Sequence, residues 1–453
     1  MKNTRRQRIH HLTSGPVRGL DYIALLVLLI FSITLMPGQA FSLTLEEALS
    51  LARQNLPSYR ASEIKVRSTE ALYDATLSPY LPSLDLSAAK EKNLKSGDEY
   101  QTTAYSLSLS YVLFDGGTRR ANRNIASLNL NISREDLKNA SIDIEYSVKT
   151  YFYTAVARKE ILSQRKIQLQ DSKKDYEVAE GRHKFGVAKL SDVLQASVRL
   201  EKAKFNLIEA ERDLRKSLLD LSSLIGIPLE DEYRITGTLV TGPVSSNQRD
   251  KEIIERLKER ALQKPVIKQS EASISVAENN RRLEISSFYP TLSLEASYNN
   301  SDISGYTSSY SSSISSSYGE SKTIGIKATW NLFSLKKFYK KNYADFEIKR
   351  YNEELKEAKR QLLLELYKTY EDFVTAYDKL RVSEEQLRQA EHNYSQAFGE
   401  YKVGKSDILS LVQAESLLAE AREQLISSRL SLVLSKAFLE KTAGIEGLEA
   451  LVR

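Results

Sequence analysis

The reactive side chains in this chain of 453 residues show no spacing that is typical of a catalytic site. Cysteine is absent, which excludes disulfides, thiolate metal sites and a cysteine nucleophile. Two of the four histidines, His10 and His11, lie in a basic N-terminal segment. No Ser/His/Asp arrangement or phosphate-binding loop is suggested, and the carboxylates recur at helical spacing on charged faces, which are usually solvated. We therefore predict a protein that is not an enzyme and that holds no cofactor or metal.

The first 40 residues have the layout of a signal peptide. A basic stretch precedes a 13-residue apolar core at 23–35, and small residues follow at 38–40. An N-terminal anchor helix is the alternative, but a membrane span needs about 20 apolar residues. Removal of residues 1–40 takes away five positive charges and one negative charge, so the net charge falls from +6 to +2. The remaining charge gives no support to nucleic-acid binding.

The rest of the chain contains an internal repeat. GVAKLSDVLQA, which starts at Gly186, aligns without a gap with GKSDILSLVQA, which starts at Gly404. Shorter matches extend the repeat upstream, where Pro57 corresponds to Pro265. Each half is predicted to contain a helix, two extended segments joined by a loop, a long helix, a glycine turn and a second long helix. The predicted boundaries are 41–226 for the first repeat, 227–250 for a linker, 251–445 for the second repeat and 446–453 for a tail.

Two extended segments, 103–113 and 322–332, alternate apolar and polar residues. This period of two is typical of strands with one apolar face. Each segment has 11 residues, about the length of a tilted strand that crosses a bilayer. Weaker partner strands are expected to begin at Leu84 and Leu292. The polar stretches that follow them are expected to be exposed loops at 91–102 and 299–321.

Long helices are predicted at 118–183 and 336–400, which are nearly free of glycine and proline. The helix after each glycine turn alternates large and small residues along a heptad-type seam, in which Ala203 and Ala421 are small positions. A two-helix hairpin inside an ordinary soluble bundle would also give such a seam. The helices are, however, too long and too polar for one compact core, so we expect them to lie beside other helices in an extended array.

Four strands of this kind cannot lie in a membrane as a single chain, because hydrocarbon cannot satisfy the backbone groups at the edges of an open sheet. Two copies would form eight strands around an interior filled by side chains, whereas three would form twelve around an aqueous lumen. Aromatic residues also suit any sheet, but here they flank the predicted strand ends, where a membrane interface favours them. These interface aromatics are Tyr111, Phe114, Trp330 and Phe333.

Taken in order, several motifs make the chain similar to the outer-membrane efflux protein family of the TolC type, over about residues 43–445. The motifs are LTLEEALSLARQNLPSYRAS, SPYLPSLDL, LFDGG, FGVAKLSDVLQA, LIGIP, SSFYPTLSL, KVGKSDILSLVQAE and TAGIE. The resemblance implies a membrane β-barrel plus a long α-helical coiled-coil barrel. Each protomer would supply four strands to a trimeric 12-stranded barrel in the cell outer membrane, and the helices would extend into the periplasm.

The function implied by the resemblance is that of the exit duct of a tripartite efflux pump or type I secretion system. The duct would pass small molecules or proteins to the exterior. Its partners would be two further copies of the chain, a periplasmic adaptor protein, an inner-membrane transporter and outer-membrane lipid, with no nucleic acid. The alternative is a periplasm-spanning structural or adhesive protein without an open channel, and conductance in a planar bilayer separates the two.

The resemblance also implies two sets of site residues. The periplasmic tips, which would contact the adaptor, are Phe185, Gly186, Val187, Val403, Gly404 and Lys405. The constriction or gate would contain Asp192, Gln195, Ser410 and Gln413. The family often has an acidic residue six positions after the second glycine, where this chain has Ser410, so a strong acidic ring from that hairpin is not expected.

Overall fold

The structure is a computed structural model that describes residues 41–95, 98–228, 233–239, 251–306 and 313–445. The expected signal peptide and C-terminal tail lie outside the described residues. The first half contains β1 (Phe41–Leu43), α1 (Leu45–Asn55), α2 (Pro57–Ala75), β2 (Ser83–Lys95), β3 (Asp98–Phe114), α3 (Thr118–Lys184) and α4 (Leu190–Ile225). After β4 (Tyr233–Ile235), the second half contains α5 (Lys251–Ala261), α6 (Pro265–Ser286), β5 (Thr291–Tyr306), β6 (Ser313–Thr329), α7 (Leu335–Lys402) and α8 (Ile408–Ala443). The same order of helix, helix, two strands and a long helical hairpin therefore occurs twice.

The four long strands form one antiparallel sheet in the order β2-β3-β5-β6. The pairing of β3 with β5 joins the two repeats. Strands β2 and β6 are the two edges of this sheet. The backbone groups on their outer sides therefore have no neighbouring strand within the described chain.

The sheet has one apolar and one polar face. Leu84 is opposite Leu109, and the same row continues through Ala296 to Ile324. The adjacent row points to the other face and contains Asp85, Ser108, Ser297 and Thr323. The apolar side chains at both edges are largely exposed, with Leu84 at 66% and Ile324 at 79%.

A β-bulge lies at the C-terminal end of β3, between Val112 and Phe114. Because of the bulge, Phe114 is opposite Leu292 and lies in register with the apolar face. The strict alternation expected through residue 113 therefore ends one residue early.

The strands are longer than the sequence indicates, and the expected loops at 91–102 and 299–321 were mostly wrong. Strands β2 and β3 pair from Ser83 to Lys95, and β5 and β6 continue to Tyr306 and Ser313. In these extensions most residues are polar on both faces, as at Lys92 opposite Gln101. The backbone ladder continues there without an apolar face, so hydrophobic alternation cannot reveal it.

The predicted long helices are confirmed to within two residues at each end. Helix α3 has 67 residues and α7 has 68, so each is about 100 Å long at ~1.5 Å per residue. The repeated prolines, Pro57 and Pro265, are the first residues of α2 and α6, where a missing N–H costs no hydrogen bond. None of the described helices is both long and apolar enough to span a membrane.

The best-packed part of the molecule lies around the middle of the long helices. One cluster contains Val148, Phe152, Leu221 and Ile225 of the first repeat, and a second contains Leu366 and its neighbours in the other repeat. The first cluster also contains Leu43 and Ile235, because β1 and β4 pair in parallel. Part of the expected linker is therefore a strand, which three residues without a periodic pattern do not predict.

Both expected seams are present. The second is buried from Leu411 to Leu439, except for one half-buried serine near its end. In the first, the small residues such as Ala203 are buried, whereas most of the large ones, such as Leu200, are only half-buried within one chain. Helix α4 therefore has unfilled packing capacity, which is consistent with an extended array of helices.

Candidate functional site

The glycine turns at the ends of the two hairpins have nearly the same geometry. Gly186 has φ +72° and Gly404 has φ +81°, so both adopt the left-handed conformation that favours glycine. At the first turn, the N–H of Val187 donates to the carbonyl of Arg182, and the N–H of Gly186 donates to His183. These two bonds form a Schellman motif, which ends a helix on a left-handed residue. The second turn repeats both bonds, from Lys405 to Glu400 and from Gly404 to Tyr401.

The tips expose apolar side chains. Phe185 is 86% exposed, and Val187 and Val403 are also mostly exposed. Among the described residues, nothing approaches within 4 Å of the position that a Cβ on Gly186 would occupy. The two tips together therefore form a small apolar surface at one end of the molecule, with Lys405 beside it.

The four residues expected at a constriction lie in the first turns of α4 and α8. Gln195, Ser410 and Gln413 are exposed, and Asp192 is half-buried. Among the described residues, the Asp192 carboxylate accepts a hydrogen bond from the Ser191 hydroxyl, at 3.3 Å. Among the described residues, none of these four side chains forms a hydrogen bond with the other hairpin, so a contact between neighbouring hairpins remains a prediction.

Asp407, three residues after the second glycine, is the N-cap of α8. Its carboxylate accepts hydrogen bonds from the backbone N–H of Ser410 at 3.0 Å and from the Ser410 hydroxyl at 2.9 Å. The backbone bond is the main reason that the pKa of Asp407 lies below its usual range. Asp407 therefore fixes the start of the helix and the orientation of Ser410.

Arg182 connects the two tips. Its guanidinium donates to the backbone carbonyl of Tyr401 and lies 4.4 Å from the centre of the Tyr401 ring. It also donates to the carbonyl of Val187, at 3.5 Å. Because Arg182 is at the end of α3 and Tyr401 at the end of α7, this side chain links the two hairpins near the tips.

Two helical turns above Arg182, polar groups are buried between the hairpins. Asp175 and Glu415 are 4% and 6% exposed. Glu415 accepts hydrogen bonds from the hydroxyl of Ser172, at 2.5 Å, and from Arg199. Asp175 accepts a long hydrogen bond of 3.4 Å from Tyr394 on one oxygen, and its other oxygen has no hydrogen-bond partner in the structure.

This buried group contradicts the expectation that the carboxylates of the helices are solvated. Asp175 and Tyr394 are 219 residues apart, as are Arg182 and Tyr401. The offset that relates Gly186 to Gly404 is 218, so each contact joins residues one position away from equivalence in the two repeats. An alignment of equivalent positions therefore gives no signal for either pair.

The expected interface aromatics lie at the end of the sheet from which the long helices begin. The indole N–H of Trp330 donates to the carbonyl of Phe288, at 3.0 Å, while its ring is 58% exposed. Phe333 is also exposed, Phe114 is partly exposed, and Tyr111 is half-buried. An exposed indole ring with its N–H bonded to the protein is suited to the boundary between hydrocarbon and water.

A family model described as "Outer membrane efflux protein" matches residues 48–227 and 257–444. Pyoverdine export outer membrane protein OpmQ of Pseudomonas aeruginosa is 23% identical over 88% of this chain and 85% of its own length. Protein CyaE of Bordetella pertussis is 24% identical over 52% of this chain, and the match spans only half of CyaE.

Solved structures show the same fold at low sequence identity. The outer membrane protein VceC of Vibrio cholerae superposes with a TM-score of 0.73 at 16% identity, over 88% of this chain and 96% of VceC. The outer-membrane channel OprN superposes with a TM-score of 0.72 at 17% identity, over 89% and 90% of the two chains. The family match covers both repeats, and the sheet, hairpins and tips have the geometry described above. The chain therefore belongs to the outer membrane efflux protein family, whose members are channels of the cell outer membrane and not enzymes.

Proposed function

We propose that three copies of this chain form the exit duct of a tripartite efflux pump or type I secretion system. The observation that carries the proposal is the amphipathic sheet, whose edges β2 and β6 have no neighbouring strand among the described residues. Its apolar face is exposed at both edges, at Leu84 and at Ile324. Pairing of β6 with β2 of the next copy would satisfy the edges, and the apolar face would contact lipid.

The polar face favours three copies over two. Rows such as Asp85, Ser108, Ser297 and Thr323 would face the inside of a closed barrel. An eight-stranded barrel would have to bury these residues in an interior filled by side chains, whereas twelve strands leave room for water around them.

The test of this assembly is the mass of the purified complex in detergent, followed by conductance in a planar bilayer. We expect three times the mass of the mature chain and a stable ion conductance. A monomer or dimer would contradict the twelve-stranded barrel. A trimer that does not conduct under any condition would support the structural or adhesive alternative.

We propose that the hairpin tips receive a periplasmic adaptor, which links the duct to an inner-membrane transporter. The exposed apolar side chains of Phe185, Val187 and Val403 support this, because they lie at the end farthest from the sheet. The relative OpmQ is named for pyoverdine export, so we propose a small secreted molecule as one class of cargo.

A bulky substitution at a tip tests the adaptor contact. Gly404→Trp should abolish export while leaving the amount of trimer unchanged, because the tip contributes little to the packed core. Glu391→Trp, on an exposed position of α7 above the tip, is the matched control and should export normally. Normal export by Gly404→Trp would show that residue 404 is outside the adaptor contact.

A further inference from the structure

The carboxylates buried between the hairpins outnumber the arginines that neutralise them by one. Arg199 of α4 forms an ion pair with Glu415 of α8. The other arginine nearby, Arg422 of α8, contacts Asp171 on α3 at 3.4 Å. Asp175 on α3 thus has no cation of its own among the described residues.

The surroundings of Asp175 give its charge little other support. Tyr394 on α7 donates one long hydrogen bond, and Oδ2 of Asp175 has no hydrogen-bond partner in the structure. The cavity beside it has a volume of about 10 Å³ and is partly lined by Ala196, Ile408 and Leu411. Such a space holds about one water molecule, so a hydrated cation does not fit. A proton is the remaining way to neutralise the carboxylate.

We propose that Asp175 and Glu415 form a proton-binding site that couples the docking of the two hairpins to pH, with the proton held on Asp175 in the docked state. Docking brings α3 of the first hairpin against α7 and α8 of the second and removes both carboxylates from water. Loss of the proton to solvent leaves two negative charges beside one arginine. Separation of the hairpins relieves this imbalance, because water can then reach Asp175.

The direction of the pH effect follows from the pKa of Asp175. Burial, and next the charge of Glu415, raise this pKa to about 7, whereas an exposed aspartate has a pKa of about 3.9. The docked state therefore binds more protons than the separated state between these two values. Docking is strongest below about pH 4, weakens as the pH rises to about 7, and stays at the weaker level above that.

If this site controls export, that control depends on the duct proposed above. Docking of the hairpins does not depend on it and can be measured without any transport.

The first measurement is infrared difference spectroscopy on the purified mature protein, in which the spectrum of Asp175→Asn is subtracted from that of the wild type. We expect a protonated carboxyl band that disappears with a midpoint near pH 7. A midpoint below about pH 5, within about one unit of an ordinary aspartate, would overturn the proposal.

The second measurement is amide hydrogen exchange of residues 172–179 and 411–418, compared at matched pH. At pH 8 the wild type should exchange at least about tenfold faster than Asp175→Asn, since one pKa unit corresponds to a factor of ten. Below about pH 4 the two proteins should exchange equally. Glu177→Gln, an exposed carboxylate on the same helix, is the control and should behave as wild type. Equal exchange of wild type and Asp175→Asn at pH 8 would contradict the proposal.

A further variant distinguishes an effect of the carboxylate pair from an effect of general misfolding. Glu415→Gln removes the charge that opposes ionisation of Asp175 and leaves Arg199 free to attract it. The midpoint of the infrared band should therefore move to a lower pH by about one unit or more. An unchanged midpoint in a folded Glu415→Gln protein would show that the two carboxylates do not share the site.

Discussion

At Gly116 the chain turns from β3 into α3 so close to α6 that a side chain has no room. A Cβ there would lie 2.6 Å from the carbonyl oxygen of Ser286, and the residue has φ +67°. The adjacent Asp115 accepts hydrogen bonds from the N–H groups of Gly117, at 3.0 Å, and Arg119, at 2.8 Å. The LFDGG motif thus combines a capped helix start with a close approach of two backbones.

The two glycines of this turn allow a matched test. Gly117 also has a positive φ of +91°, but nothing lies within 4 Å of its Cβ position. We expect Gly117→Ala to cost ~1–2 kcal/mol of stability from backbone strain. Gly116→Ala should cost about 1–3 kcal/mol more, because the backbone of α6 must move. Urea unfolding of the two variants measures the difference, and equal stabilities would contradict the close contact.

Asp192 is the residue through which the proposed gate can be examined. Because it lies half-buried near the tip, we expect its carboxylate to bond to a neighbouring hairpin in the trimer and to help keep the duct closed. Asp192→Ala should then raise single-channel conductance and passive leak. The other role of Asp192 is to favour the start of α4, worth roughly 0.3–1 kcal/mol. If Asp192→Ala left the conductance unchanged and lowered the stability slightly, the gating role would be rejected and only the stabilisation of the helix start would remain.

The control for this measurement is Ser191→Ala. It removes the 3.3 Å hydrogen bond to the Asp192 carboxylate without removing the charge. If the charge holds the gate, Ser191→Ala should conduct as wild type does. An equal rise in both variants would instead assign the effect to local helix geometry.

At the scale of the elements, the seams of the hairpins depend on their small residues. Ala203 and Ala421 are 2% and 1% exposed, each packed where two long helices approach closely. Replacement by phenylalanine should cost about 1–3 kcal/mol at each site from overpacking. We expect Ala203→Phe and Ala421→Phe to lower the yield and melting temperature of the trimer. Lys204→Phe, one position along and exposed, is the control and should melt as wild type does.

The strands extend past their apolar part, which predicts a sharp change in access to water along one face of β2. Leu84 and Lys90 point to the same face, six residues apart. Since the chain has no cysteine, single cysteines can be placed at either position. A membrane-impermeant maleimide added to whole cells should label Lys90→Cys and not Leu84→Cys. Equal labelling of both would mean that lipid does not cover the apolar face.

Most elements of this fold could be predicted from the sequence because glycine and proline mark their ends. Pro265 starts α6, and Gly404 follows α7 within two residues. The outer parts of the strands could not be predicted, because residues such as Lys92 and Gln101 leave no apolar face. The tips were predicted in position, whereas the buried Asp175 was missed, since a carboxylate at helical spacing looks the same whether water or another hairpin covers it.

At the scale of the whole molecule, the two faces of the sheet should respond in opposite ways to charge. Ile324 is on the apolar face of the edge strand β6, and its neighbour Thr323 is on the polar face. Ile324→Arg would place a cation in hydrocarbon, at a cost of about 2–4 kcal/mol near the middle of the membrane. We expect fewer heat-stable trimers from Ile324→Arg, as seen by gel electrophoresis of unheated samples. Thr323→Arg should assemble normally. If Thr323→Arg formed fewer heat-stable trimers than Ile324→Arg, the assignment of the two faces would be reversed.

The uneven packing along the long helices has a mechanical consequence. Helix α3 is anchored by the central cluster at Val148 and continues for 36 residues to Lys184, a lever arm of ~54 Å at ~1.5 Å per residue. A rotation of about 5° at this fulcrum would move the tip by about 5 Å, the pitch of one helical turn. Small adjustments where side chains are densely packed are therefore amplified into large displacements at the far end. The contacts made there, among them those of Arg182 and Asp175, act at the far end of this arm, so weak interactions are enough to hold a long helix in place.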